Sequence, residues 1–62
     1  MNVTLWFKPG EHPTQVVEAI KNSAHIPLGD AKDAVEIQRI TCKKECREAV
    51  IKAIEAAGGL VE

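Results

Sequence analysis

Asn2–Lys8 reads NVTLWFK, and its alternation decides the architecture. Val3, Leu5 and Phe7 fall on one side of the period and Asn2, Thr4 and Trp6 on the other, the pattern of a strand buried on one face only. A strand of this kind needs an apolar layer on one side and leaves its polar side to water. The rest of the chain must supply that layer.

Downstream, PGEHP over Pro9–Pro13 carries two prolines and a glycine and reads as a loop that ends in a helix, with Pro13 at the first helical position and Gln15 placed to help cap it. Within TQVVEAIKNSA, Val16, Val17, Ile20 and Ala24 build an apolar stripe, while Thr14, Glu18, Lys21 and Asn22 face away from it. His25-Ile26-Pro27 interrupts the periodicity, because a residue before proline is pushed out of helical geometry and Pro27 can open a new helix. In the second helix, LGDAKDAVE, Leu28, Ala31 and Val35 share a stripe, Gly29, Asp30 and Asp33 oppose it, and Lys32 sits on the border.

EIQRIT, residues 36–41, is rich in β-branched residues and predicts a second strand containing Ile37 and Ile40. The last helix has the clearest periodicity: Cys46, Ala49, Val50, Ala53, Ile54 and Ala57 recur at three and four, and Gly58-Gly59 stops it. Leu60-Val61-Glu62 begins a final strand. The order strand, helix, helix, strand, helix, strand predicts one α+β domain over residues 1–62, a two-layer sandwich with a small three-stranded sheet and all helices on one face.

Composition narrows the function. A 62-residue chain of this size buries only about 60% of its unfolded surface, so its stability is thin and its room for a pocket small. Eight Lys and Arg against nine Asp and Glu give a net charge of -1, which offers no global basic field and makes nucleic acid an unlikely partner. The start of the chain lacks the parts of a signal peptide and no apolar run is long enough for a membrane, so the expected location is cytoplasmic, with no membrane partner.

Catalytic and metal signatures are missing: there is no Gly-rich phosphate loop, helical His pair or nucleophile elbow, and no cofactor is expected. Cys42 and Cys46, four apart in TCKKEC, are expected to be free thiols at helix-start and core positions; His12 and His25 lie in separate segments and do not complete a zinc set. Lys43 and Lys44 leave a reactive Cys46 as a remote enzymatic alternative. Trp6 either anchors a partner from the solvent face or, as the preferred reading, packs beside a loop or the sheet edge. Ile51 lies outside its helix's apolar stripe, either as a second contact surface or as a single exposed apolar residue.

HIPLGDAKDAVE, with the preceding VVEAIK and the closing AIEAAGGLVE, resembles the C-terminal domain of the bacterial ribosomal stalk protein from about Val3 to Glu62, most specifically in AKDAVE at Ala31–Glu36. The resemblance implies the same α+β fold and a non-catalytic head that docks translational GTPases through the outer surface of its first two helices. It carries Lys21 and Lys32 over as docking charges, with Val17 at an apolar position of that surface. Glu18 and Gly29 stand where the family has lysines, and Thr14 stands at an apolar position. The implied protein-binding site is therefore Val17, Glu18, Lys21, Gly29 and Lys32. The family's dimerisation segment and hinge have no counterpart ahead of Asn2, which reads as an excised head or a free-standing one. A regulatory or inhibitory small protein that reuses the scaffold for a different protein partner is the alternative.

Overall fold

A computed structural model describes all residues, Met1–Glu62. Its first strand, β1 (Asn2–Lys8), has the predicted alternation, with Leu5 and Phe7 buried, Val3 partly covered and Asn2, Thr4, Trp6 and Lys8 exposed. The other elements are α1 (Pro13–Ala24), α2 (Leu28–Ile37), β2 (Arg39–Lys43), a single 3-10 turn at Lys44–Cys46, α3 (Arg47–Ala56) and β3 (Leu60–Val61). The sheet is antiparallel throughout with order β2-β1-β3, so the first strand in the chain is the middle one in space.

Register follows from burial. Leu5 pairs with Ile40 and Val3 with Cys42, which brings the apolar residues of both strands to the helical side, while Phe7 meets Val61 on β3. A one-residue slip would turn Ile40 and Cys42 to water. Val16 and Ile20 of α1 and Val50 and Ile54 of α3 are fully buried over this face, and Ala31, Ala34 and Val35 of α2 complete the core. α1 packs against both α2 and α3, which is why it buries the adjacent pair Val16 and Val17.

Helix boundaries show how the chain turns. Pro13 begins α1 as expected, but Gln15 makes no side-chain cap; instead the backbone amides of Gln15 and Val16 donate to the His12 carbonyl. α1 ends on His25 and α2 on Gln38, both left-handed at φ 55° and 58°. Pro27 precedes α2 as its N-terminal cap residue in extended geometry, and its carbonyl accepts the Ala31 amide.

Two expectations shift here. Ile37 belongs to the end of α2, not to a strand, because the reversal comes at Gln38 and the two-residue period resumes only from Arg39. Cys42 is consequently a buried core residue of β2 and not a helix-start residue, whereas Cys46 is half-buried in the 3-10 turn before α3. Along α3, Ala49 is exposed, and Ile51 is partly buried and packs against the core, so it forms no second surface.

The β1–α1 and α3–β3 connections nest together. A Cβ on Gly10, at φ 76°, would collide with the Gly58 carbonyl oxygen, and one on Gly59 would stand 2.6 Å from Ile54 Cγ2. The Gly59 amide donates to the Ile54 carbonyl at 2.8 Å, closing α3 and delivering the chain to β3.

Candidate functional site

The helical surface implied by the sequence is solvent-facing at four of its five positions. Glu18 and Lys21 are three apart on α1, and Gly29 and Lys32 three apart on α2, so each pair shares one face of its helix. All four are exposed, and the two helices pack directly against each other. Val17 differs: at 9% exposure it is part of the core, because α1 has neighbours on both sides, and it supports the surface from below. Leu28, beside Gly29, is 44% exposed and is the large apolar side chain at this end of α2, so it does not complete the apolar stripe assigned to it from spacing. A side chain added at Gly29 would meet nothing within 4 Å, so this part of the helix is open ground rather than a packed contact.

A second surface lies on the opposite side of the molecule, where the sheet has no helical cover. Trp6, 52% exposed, is on the central strand and not at an edge or beside a loop. Its cross-strand neighbour is Arg39, whose guanidinium carbon lies 5.2 Å from the ring centroid, within cation–π range. Thr4 and Thr41 face each other with hydroxyl oxygens 3.3 Å apart. Lys8 and Lys43 continue the same polar side of their strands, so a basic face is present although the whole chain is slightly acidic. Sequence reasoning had the signal in the position of Trp6 among the polar residues of NVTLWFK; what it lacked was the strand order.

A shallow cleft of about 270 Å³ lies between α2 and the outer side of β2, with Ile26, Ala34, Ile37 and Ile40 as its apolar lining and Asp30 and Asp33 as its acidic residues. The core itself contains no polar or charged side chain. Both cysteines are free, and burial pushes the Cys42 thiol up from its ordinary value, helped by nearby Cys46 and opposed by Arg47. No three His, Cys, Asp or Glu side chains gather as a metal-holding group, and no helix is long and apolar enough to cross a membrane. Comparison with protein-family models, curated proteins and solved structures finds no match to this chain.

Proposed function

We propose that the chain is a non-catalytic docking domain that presents the outer surface of α1 and α2 to a protein partner, a translational GTPase or a protein of similar surface, with Lys21 and Lys32 as its charged contacts. The observation that carries this reading is the joint exposure of Glu18, Lys21, Gly29 and Lys32 on two helices braced against each other. A rigid, pre-formed helical face loses little order on binding. Two free thiols fit a reducing, cytoplasmic setting.

Glu18 and the open Gly29 favour a second reading, a free-standing regulatory or inhibitory protein with a different partner. A partner steered by cations loses attraction when one position is acidic and another has no side chain.

Titration of the isotope-labelled chain with purified elongation and initiation GTPases separates the two. Docking shifts the amide resonances around Lys21 and Lys32. Lys32→Glu then weakens the complex by roughly tenfold, about 1.4 kcal/mol, with a larger effect at low salt. Glu18→Lys combined with Gly29→Lys strengthens it. Unchanged resonances at Lys21 and Lys32 with the GTPases at about 1 mM overturn the GTPase reading.

A further inference from the structure

β2 is an edge strand, and its hydrogen-bonding register shows which of its backbone groups are unused. Just outside it, the Phe7 amide donates to the Gln38 carbonyl at 3.1 Å and the Lys44 amide donates to the Met1 carbonyl at 3.0 Å. Directly opposed residues in an antiparallel ladder alternate between bonded and non-bonded pairs. Leu5–Ile40 and Val3–Cys42 are therefore the pairs that exchange bonds, and the amides and carbonyls of Arg39, Thr41 and Lys43 turn away from β1. The far side of β1 agrees, since the Trp6 carbonyl accepts the Glu62 amide at 2.8 Å, toward β3. None of the backbone bonds made by turns and loops reaches the outward groups of Arg39 and Thr41. Arg39 and Thr41 thus each offer one donor and one acceptor to a further strand, while Lys43 offers its amide, its carbonyl already serving the 3-10 turn that it caps.

The surroundings of this edge select what can pair with it. Side chains of an added strand would alternate between the cleft beside α2, where Ile26, Ala34, Ile37 and Ile40 favour aliphatic groups, and the open sheet face beside Arg39 and Lys43. Opposite charges across a strand pair are favourable and like charges are not. A second copy fully overlapped on β2 and centred on Thr41 would set Arg39 against Lys43 of that copy, cation on cation, so this edge is guarded against its own kind. A strand whose acidic residues lie on the open sheet face meets Arg39 and Lys43 there, while Asp30 and Asp33 at the cleft disfavour acidic residues on the α2 side.

We infer that the free edge of β2 is a strand-addition site for an extended peptide of another protein, with acidic residues on the open sheet face and aliphatic residues toward α2. The addition supplies main-chain bonds for affinity and alternating pockets for specificity. It uses a surface separate from the α1–α2 face and stands or falls independently of GTPase docking.

The test is a titration of isotope-labelled protein with a capped heptapeptide of alternating glutamate and valine, beside a lysine–valine counterpart. The acidic peptide shifts the amides of Arg39, Thr41 and Lys43 and slows their hydrogen exchange by about tenfold or more, while the basic peptide binds at least about tenfold more weakly. Thr41→Pro removes an outward amide that the ladder does not use, and it abolishes binding with the folded spectrum retained. Should that variant unfold, the acidic peptide N-methylated at alternate amides tests the same bonds with the protein unaltered, and it fails to bind. Arg39→Glu with Lys43→Glu reverses the peptide preference. The inference is overturned by unchanged β2 amides at about 1 mM acidic peptide, by equal binding of both peptides, by shifts confined to α1 and α2, or by β2 protection arising from self-association without peptide.

Discussion

The two faces of the sheet carry the same strands and almost opposite chemistry. On the helical side, Leu5, Phe7, Ile40 and Cys42 are buried beneath Val16, Ile20, Val50 and Ile54, and each is held by many weak contacts from several directions. On the other side, Trp6 over Arg39 and Thr4 against Thr41 are isolated pairs in contact with water. The covered face is limited by volume, where one missing methylene is felt, and the open face only by pairwise fit. Stability is thus concentrated on one side of one small sheet. The other side can change its chemistry at little cost to the fold.

Substitution along β1 puts this contrast to the sharpest test. Phe7→Ala, at a side chain 1% exposed, is expected to destabilise by about 3–5 kcal/mol. Since small domains have only about 5–15 kcal/mol in total, this removes a large share of the stability, read as a lowered midpoint in denaturant titration. A loss below about 1 kcal/mol would break the comparison at its strongest point.

Cys42 offers a pH-dependent version on the covered face. Its folded-state pKa is raised, first by burial, so the unfolded chain ionises at lower pH than the folded one. The associated stability is complete below the ordinary thiol range and is lost as pH climbs from that range through the raised folded value. Denaturation at neutral and alkaline pH should show this fall in the native chain, and Cys42→Ala should remove that share of it. An identical pH profile in the variant would contradict the role given to burial. The same contrast orders the thiols kinetically: Cys42 should alkylate about tenfold or more slowly than half-buried Cys46, as measured by mass spectrometry under native conditions.

Effects on the open face should be smaller. A double-mutant cycle on Trp6→Ala and Arg39→Ala is expected to give a coupling of about 0.5–1 kcal/mol, the range for a hydrated cation–π pair. Smallest of all, Thr4→Val and Thr41→Val together should move stability by about 0.2–1 kcal/mol, measured by thermal unfolding. A coupling or loss as large as that of Phe7→Ala would mean that the uncovered side also holds the fold together.

Legibility in the sequence follows the same division. NVTLWFK, the Val16–Ile20 stripe and the Val50–Ile54 stripe were readable because local period is enough to assign a buried face. The α2–β2 boundary was not: Ile37 is β-branched, but the left-handed Gln38 that separates helix from strand has no strong local signal, since glycine is the usual residue there. Ala49, assigned to the apolar stripe, is exposed and Ala34, assigned to no face, is buried for a related reason, as alanine fits a core or a surface and its burial depends on the neighbouring helix. Of the implied docking residues, the exposure of Lys21 and the burial of Val17 followed from their places on α1, whereas Lys32, on the border of its helix face, needed the packed neighbours to place it in solvent. Trp6 and the β2 edge were hidden because strand order depends on pairings far apart in the chain.

The central position of β1 also governs the order in which the molecule can assemble. Thr4 and Thr41 meet across 37 residues, and the other flank of β1 waits for Leu60 and Val61. The α1–α2 hairpin can form early from nearby contacts, but β1 gains its first partner only when Arg39–Lys43 follow and its second only when Leu60 and Val61 do. Until β2 follows, Leu5 and Phe7 have no sheet around them and both edges of β1 are open; until β3 follows, one edge stays open. The residues that contribute most to the finished core are therefore those most exposed to misassociation while the chain is being made.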